Sequence, residues 1–409
     1  MNSCSRNNFA RFACIPLLLA CSTTFAEDAE SYALSAGDDL KGWQVISGDW
    51  RLRDGIITGE STDGTALLVS EREFSDLELE VDLSVAGDTR GSVFVRGHVL
   101  PVLPLPEGKD AGAAPQKAYG FETAVETSEE TTSSQFSSDS CEQGFALSIP
   151  NALGGEWRSA KVSAVRDRGS IELGDPQGTK GSGGLQIDYV SGHIALAVSP
   201  SKQGGPGQAR FRNIRVLDTG RHGDWRPLWN GKNFDGWVIW GEEEWVVEDG
   251  AIVGKSGPNK SEGYLATKET WKDFRVRGKF QMLGEGNYGL FYHSTIAYDE
   301  KHFPVISGVQ GEVEPSLPGN TGCLYESYKR GWLVKPDKSI PGAYALRPGR
   351  WNEIEIESAG NRRRTWVNGI PVVDWTDPAP NLTEGAFALQ LHTGGVSGIK
   401  WKDLYVLEE

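Results

Sequence analysis

Leu77-Glu-Leu-Glu-Val-Asp-Leu83 alternates apolar and acidic residues without a break, and Phe274-Arg-Val-Arg-Gly-Lys-Phe280 alternates in the same way. Successive side chains of a β-strand point to opposite faces, so this pattern indicates strands with one buried face. Trp351-Asn-Glu-Ile-Glu-Ile-Glu357 is a third example, and no stretch of the sequence shows sustained helical periodicity. The sequence therefore predicts an all-β protein that contains half-buried antiparallel strands.

The second half of the chain repeats the first. Trp50 and Gly59 recur 195 residues later as Trp245 and Gly254, with matching Asp, Gly and Ile residues between them. A repeat of this length is too long for a solenoid unit and suits a duplicated domain. Because a sheet with one apolar face must stack on another layer, each half is expected to be a β-sandwich.

We place the domain boundaries at composition changes. Residues 1–26 are expected to form a signal peptide, and residues 27–218 the first sandwich domain. A polar, Gly-containing linker over 219–224 then leads to the second sandwich domain, over 225–409. Two biased insertions in the first domain, Val99 to Gln116 and Glu126 to Ser140, are interpreted as exposed loops.

The N-terminal segment has the features of an export signal. Arg6 and Arg11 precede an apolar run, and Ala26 satisfies the small-residue rule for cleavage before Glu27. The apolar run is shorter than the ~20 residues that a membrane-spanning helix needs. We therefore expect an exported protein, periplasmic or extracellular. The alternative is a lipid anchor on Cys21, within Leu18-Leu-Ala-Cys21.

Charge and motif content limit the possible partners. The net charge is −15, which argues against a nucleic-acid partner because phosphate binding needs clustered positive charge. No Cys/His pair has metal-ligand spacing and no Asp-rich calcium loop is present, so we expect no metal or cofactor. The sequence leaves open an isolated calcium site built from carbonyls and carboxylates, and it does not fix the oligomeric state.

A set of motifs in the second half carries a family resemblance. Leu228-Trp-Asn-Gly-Lys-Asn-Phe-Asp-Gly-Trp237 is followed, in order, by Asn287-Tyr-Gly-Leu-Phe-Tyr-His293, Gly349-Arg-Trp-Asn352 and Leu389-Gln-Leu-His392. In their order and spacing these motifs resemble the 3-keto-disaccharide hydrolase family. The resemblance implies two tandem concanavalin-like jelly rolls that act on carbohydrate. It also implies cleavage of glycosides whose sugar is already oxidised at carbon 3.

The chain departs from the family pattern at two positions. His293 stands where the family tends to have arginine, and Glu314 stands where it tends to have glutamine. The first half resembles the family more faintly. It has Ala197 and Ser199 at the positions of Gln390 and His392, and Arg158 at the position of Asn352. We therefore expect the first copy to be degenerate and the second to hold the active site.

The acidic candidates lie on one predicted strand. Gln310, Glu312 and Glu314 alternate, so their side chains project from one face at steps of about 6 to 7 Å. Paired carboxylates at such separations act as acid and base across a glycosidic bond. Gln390 and His392 alternate with Leu389 and Leu391 and should also face away from the core. His392 is thus a candidate proton shuttle near neutral pH.

Four further residues are candidates for substrate binding. Lys335 could hold an enolate oxygen as a fixed positive charge, and His293 could assist it. Asn287 is a further candidate, and these three residues are weaker candidates than Glu312 and His392. Most tryptophans should fill the cores, but Trp332 lies in a Gly-rich and Lys-rich stretch and is expected to be exposed to a sugar ring.

Three functional hypotheses follow from these residues and the resemblance. The leading one is elimination across carbon 1 and carbon 2 of a 3-ketoglycoside, with Glu312 as base and His392 or Glu314 assisting the leaving group. The second is direct retaining glycoside hydrolysis by Glu312 and Glu314. The third is a protein that binds glycans without cleaving them.

Overall fold

The computed structural model describes most of the chain from residue 30 onward. The described ranges are 30–35, 39–61, 64–101, 116–128, 132–138, 142–150, 155–174, 180–201, 204–335 and 337–409. Side chains are described for these ranges except within 127–150 and 180–185. The predicted signal peptide and most of the first insertion lie outside the described residues. None of the described helices is long and apolar enough to cross a membrane.

Fifteen strands of the described residues form the first domain. In chain order they are β1 (Glu30–Ala33), β2 (Trp43–Ser47), β3 (Asp49–Arg53), β4 (Ile56–Glu60), β5 (Ala66–Phe74), β6 (Asp76–Ala86), β7 (Arg90–Pro101), β8 (Gln116–Ser128), β9 (Thr132–Ser138), β10 (Glu142–Pro150), β11 (Arg158–Val165), β12 (Arg168–Gly174), β13 (Lys180–Gln186), β14 (Gly192–Val198) and β15 (Gln208–Gly220). Sheet 1 has the order β13-β12-β11-β6-β15-β4-β3, with β1 also paired to β15. Sheet 2 has the order β2-β5-β14-β7-β8-β10-β9.

The second domain has the same plan. Its strands are β16 (Arg226–Pro227), β17 (Trp237–Trp240), β18 (Glu244–Glu248), β19 (Ala251–Lys255), β20 (Gly263–Thr267), β21 (Phe274–Met282), β22 (Tyr288–Tyr298), β23 (Pro304–Val313), β24 (Leu324–Glu326), β25 (Gly331–Val334), β26 (Asn352–Ala359), β27 (Arg362–Val367), β28 (Ile370–Thr376), β29 (Ala386–Leu391) and β30 (Ile399–Glu408). A 3-10 helix spans Pro341–Tyr344. Sheet 3 has the order β18-β19-β30-β21-β26-β27-β28, with β16 also paired to β30, and sheet 4 the order β17-β20-β29-β22-β23-β24-β25.

The two domains share their strand order, so the duplication seen in the sequence is a duplication of structure. The predicted all-β fold with two tandem sandwiches is confirmed. In each domain the apolar residues that alternate along the strands meet between the two sheets, as Leu79 of β6 and Leu196 of β14 do in the first core. Leu290 of β22 and Ile356 of β26 do the same in the second core.

The second insertion does not match its prediction. β8 continues to Ser128 and β9 covers Thr132–Ser138, so part of the segment predicted as a loop is strand. β9 pairs with β10, and β10 pairs with β8 in parallel. Ser and Thr are compatible with strands, and here long-range pairing overrides a composition that is typical of loops.

The two domains are packed directly against each other. The hairpin turn Asn368-Gly369 joins β27 to β28, and its Gly369 carbonyl accepts a hydrogen bond from Val190 N at 3.0 Å. Trp366 Nε1 donates to the Asp188 carbonyl at 2.7 Å. Val367 and Ile370 belong to the core cluster of the first domain, so the interface continues that core.

Candidate active site

A pocket of about 400 Å³ lies on the outward face of sheet 4. Its lining residues are Glu262, Asn287, Gln310, Glu312, Tyr325, Ser327, Tyr328, Trp332, Gln390 and His392. Two of them are carboxylates and none is lysine or arginine. The pocket therefore presents acidic, amide, hydroxyl and aromatic groups to a ligand.

Strand alternation explains why these side chains face outward. Val309 and Val313 of β23 point into the core, so Glu312 points to the opposite face. Leu389 and Leu391 of β29 are likewise in the core, which sends Gln390 outward. His392 follows directly after β29. Side chains of β23 and side chains on and directly after β29 therefore line the same pocket.

A glycine between these two strands shapes the pocket floor. Gly289 of β22 pairs with Glu312 on one side and with Gln390 on the other. A Cβ added at Gly289 would lie 2.5 Å from Nε2 of Gln310, because that side chain crosses directly over the glycine. Only a glycine leaves room for this crossing without a shift.

An amide chain then runs across the floor. Gln310 Nε2 donates to the Tyr288 carbonyl at 3.1 Å and to Gln390 Oε1 at 2.9 Å. Gln390 Nε2 in turn donates to Glu262 Oε1 at 3.0 Å. Since both protons of the Gln310 amide are used, its Oε1 is the atom left to accept a hydrogen bond from a ligand hydroxyl.

Glu312 is a buried carboxyl within this polar floor. Only 4% of its surface is exposed, and the Asn287 side-chain amide donates to its Oε1. Burial raises the pKa of Glu312 to about 7; the Asn287 hydrogen bond opposes this rise, and the charge of Glu314 adds to it. A carboxyl with such a pKa can both take up and release a proton near neutral pH.

His392 is half-buried beside Asn287, and its backbone N–H donates to the Asn287 carbonyl at 3.2 Å. Its Nδ1 lies 3.1 Å from the Thr393 carbonyl. A carbonyl can only accept, so Nδ1 carries the proton of this bond and Nε2 is the nitrogen left for a ligand. The imidazole is therefore oriented for proton transfer through Nε2.

Sequence reasoning missed one lining carboxylate, Glu262. It precedes β20 and accepts hydrogen bonds from Gln390 and from the Tyr328 hydroxyl, the latter at 3.3 Å. No alternation of acidic residues marks this position in the sequence. The signal that could have found it is the pairing of β20 with β29, which is a long-range contact.

Aromatic side chains form one wall of the pocket. Trp332 is 36% exposed, as its sequence context predicted, and packs edge-on against Tyr325 with ring centroids 5.4 Å apart. Tyr328 is 66% exposed. Exposed aromatic faces beside polar acceptors are suited to a sugar ring, which has apolar C–H faces and hydroxyl edges.

Glu314 and Lys335 do not line the pocket. Glu314 follows the end of β23, where its Oε1 accepts a hydrogen bond from Asn320 N at 3.0 Å and another from the Ser316 hydroxyl. Its position fits a role in holding this turn and does not support a catalytic role. Lys335 is exposed after β25, outside the set of lining residues. Its position does not support contact with an enolate in this pocket.

His293 is also outside the pocket, because a bulge interrupts β22. The register shifts between Tyr292 and Thr295, and His293 has a φ of 48°. Its ring is turned inward, with Nε2 2.8 Å from the Lys272 carbonyl and Nδ1 3.1 Å from the Leu382 carbonyl. Burial lowers the pKa of His293. The ring ties adjacent segments together and does not reach a ligand, contrary to the sequence-based expectation.

The first domain has different residues at the corresponding places. Ala197 pairs with Ser92 as Gln390 pairs with Gly289, and the residue opposite Ser92 on β8 is Ala124, where the second domain has Glu312. Glu122 therefore matches Gln310, not Glu312. The Glu122 carboxylate pairs with Arg90 at 2.9 Å.

The chain belongs to the family described as the 3-keto-alpha-glucoside-1,2-lyase-like domain, which matches residues 31–217 and again residues 224–407. The two copies inferred from the sequence thus both fall within this family. A search of curated proteins found no match to the chain.

Several solved structures are similar to parts of the chain. One is a Parabacteroides distasonis protein whose description proposes a glycosyl hydrolase, with 20% identity over 45% of this chain and 94% of that one, and a TM-score of 0.34. Another is the carbohydrate-binding module CBM66 of Bacillus subtilis, with 14% identity, 43% and 98% coverage and a TM-score of 0.30. A Bacillus subtilis protein of unknown function with a galectin-like fold has 13% identity, 45% and 98% coverage and a TM-score of 0.35.

Proposed function

We propose that the second domain cleaves neutral 3-ketoglycosides by elimination across carbon 1 and carbon 2, followed by hydration. The observation that carries this proposal is the placement of Glu312, with its raised pKa, and His392 in one pocket. Membership of the 3-keto-alpha-glucoside-1,2-lyase-like family supports the reaction class. A pocket that contains carboxylates and no lysine or arginine among its lining residues favours an uncharged sugar.

Glu312 and His392 carry out different parts of the elimination. A ketone at carbon 3 acidifies the hydrogen on carbon 2, and the Glu312 carboxylate removes that proton. The electron pair forms the carbon 1–carbon 2 double bond as the bond to the glycosidic oxygen breaks. The His392 imidazolium gives its Nε2 proton to the departing oxygen and keeps its Nδ1 hydrogen bond to Thr393 throughout.

Hydration then completes the reaction. Protonated Glu312 exchanges its proton with solvent and returns one to carbon 2, while water adds its oxygen to carbon 1 and gives a proton to neutral His392, so the net result is hydrolysis. The developing negative charge on the carbon 3 oxygen would be met by the hydroxyl donors of Tyr325 and Ser327 in the pocket. These hydroxyls take the place that sequence analysis assigned to Lys335 and His293.

A direct comparison of substrates tests this function. The purified protein is given a 3-ketoglucoside and the parent glucoside of the same aglycone. We expect cleavage of the ketone alone, and a loss of about 100-fold or more in Glu312→Gln, the scale for removing an acid–base group. Cleavage of the parent alone, or inactivity on both, would contradict the proposal.

Direct retaining hydrolysis is less well supported. It requires a second carboxylate next to Glu312 in the pocket, and Glu314 is instead bonded to Ser316 and Asn320. Glu262 is the lining residue that could replace it. Cleavage of the parent glucoside that is lost in Glu262→Gln would favour this alternative.

The second candidate function is glycan binding without catalysis, favoured by the aromatic wall of Tyr325, Tyr328 and Trp332. Binding of a neutral saccharide without any product, unchanged in Glu312→Gln, would support it.

We also propose that the protein is exported and that its first domain lacks the reaction centre, since Ala124 and Ala197 occupy the positions of Glu312 and Gln390. Cell fractionation tests the first point, and the activity of Glu312→Gln tests the second.

A further inference from the structure

A second large cavity lies between the two domains. This interdomain cleft has a volume of about 440 Å³, comparable to the pocket on sheet 4. Sheet 3 supplies part of its wall, so the cleft is on the opposite face of the second sandwich from Glu312. The two cavities are therefore separate places on the molecule.

The cleft is rich in cations although the chain has a net charge of −15. Its five basic lining residues are Arg221, Arg277, Lys279, Arg347 and Lys402, against three acidic ones, Glu73, Asp218 and Glu353. All three acids are already engaged with arginines. Glu73 pairs with Arg347 at 2.5 Å, Asp218 with Arg72 at 2.9 Å, and Glu353 with Arg221.

The strand register places two of the cations directly opposite each other. Lys279 of β21 pairs with Lys402 of β30. Like charges in such cross-strand pairs are destabilising. Asp403 offsets Lys279 at 2.9 Å, but no acidic group lies within ion-pair distance of Lys402 in the described part of the chain. An anion bound beside these two lysines would relieve the repulsion.

The lining also includes groups that suit a sugar ring. Lys402 Nζ lies 4.4 Å from the centroid of Trp351, which brings a cation and an aromatic ring together at one point of the cleft. Ser75 and Ser191 add hydroxyls from the first domain. A ligand seated here would contact both domains.

We propose that the interdomain cleft binds an acidic saccharide, with Lys402, Lys279 and Arg347 around its anionic group and Trp351 beside its ring. A carboxylate on a uronic acid and a sulfate ester offer the same recognition chemistry. The neutral sugar of the pocket on sheet 4 and the acidic sugar of the cleft are thus different ligands, and neither proposal depends on the other.

Calorimetric titration of the full chain tests the proposal. The probes are trigalacturonate, its methyl ester as a neutral ligand of the same size, and a sulfated galactose trisaccharide. We expect one or both acidic trisaccharides to bind, the ester not to bind, and the affinity to fall as salt rises. Binding of the uronate or the sulfate alone identifies the natural anion. Equal affinity for the ester, or no binding of either acid, overturns the proposal.

Substitutions locate the binding. Lys402→Gln should weaken binding about tenfold, the loss of one charge-assisted hydrogen bond. It should leave the thermal midpoint of the free protein nearly unchanged, because it removes a repulsion together with the contact to Trp351. Lys232→Gln, at an exposed lysine of the second domain, and Glu312→Gln should bind like the unaltered chain. Unchanged affinity in Lys402→Gln would place the ligand elsewhere and overturn the assignment.

Discussion

Glu312 is a buried carboxyl whose charged form is costly to the fold. Its pKa rises from 4.5 to about 7, so the native state binds the proton more tightly than the unfolded state. Stability must then fall as pH rises from about 4.5 to 7. A carboxylate base that works near neutral pH at this buried position therefore destabilises the fold.

Glu312→Gln should remove that cost. We expect the free energy of unfolding to rise by about 1 to 3 kcal/mol near pH 8, and not to change below about pH 4.5. Denaturant titrations across this pH range provide the measurement, with Glu300→Gln, at an exposed position, as the control. A variant that is destabilised at pH 8 would show that Glu312 is not held as we describe.

The Asn287 amide lowers the pKa of Glu312 and so helps to set the pH at which Glu312 becomes an active base. With Glu312 as base, kcat/KM should rise with pH through about 7. Loss of the hydrogen bond in Asn287→Ala raises the pKa, so the rise should move to higher pH by about one unit. Asn259→Ala, which removes an exposed amide–carboxylate bond to Glu242, is the matched control. A profile that stays in place contradicts the role of Asn287.

Residue-scale prediction from the sequence succeeded where strict alternation holds. Glu312 and Gln390 face away from the core as their alternation indicates, because register follows from which face is buried. Trp332 is exposed as its Gly-rich and Lys-rich context indicates. His293 is the counterexample, since the alternation that would send it outward is broken by a bulge at that residue. Nothing in the local sequence marks this backbone conformation.

At the scale of elements, the pocket depends on three adjacent strands, β23, β22 and β29. Gly289 on the middle strand allows the Gln310 side chain to reach Gln390. The sequence predicts each strand but not their order. That order comes from long-range pairing, and for the same reason Glu262 and the strand β9 were missed.

Gly289→Ala should disturb the amide chain more than the fold. The added methyl meets the end of a flexible side chain, so Gln310 shifts and its bond to Gln390 is lost. We expect kcat/KM to fall about tenfold with a stability change below about 1 kcal/mol. In the double variant with Gln310→Ala the clash is absent, so the two effects should not add. Full additivity would contradict the crossing of Gln310 over Gly289.

At the scale of the whole molecule, the two sandwiches form one packed unit. A Cβ at Gly369 would lie 2.4 Å from the carbonyl oxygen of Ser191 in the first domain. Duplication of the domain is visible in the sequence, but this contact is not, because it joins residues far apart in the chain.

Gly369→Ala should therefore weaken the interface. Gly360→Ala is the matched control, since Gly360 also has a positive φ, of 56°, but open space around it. The positive φ should lower the free energy of unfolding by about 1 kcal/mol in both variants. The clash with Ser191 should lower it by about 1 to 3 kcal/mol more in Gly369→Ala. Calorimetry should then resolve two unfolding transitions. Equal effects of the two substitutions would contradict a tight interface.

The central claim is that Glu312 removes the proton from carbon 2 of a 3-ketoglycoside. Turnover of a 3-ketoglucoside in deuterated water, followed by mass and NMR analysis of the released sugar, tests it most directly, with the free product incubated alone to correct for spontaneous exchange. Our account predicts deuterium at carbon 2 of the product, formed at the rate of cleavage and lost together with cleavage in Glu312→Gln. Cleavage that leaves the original hydrogen on carbon 2 would contradict it.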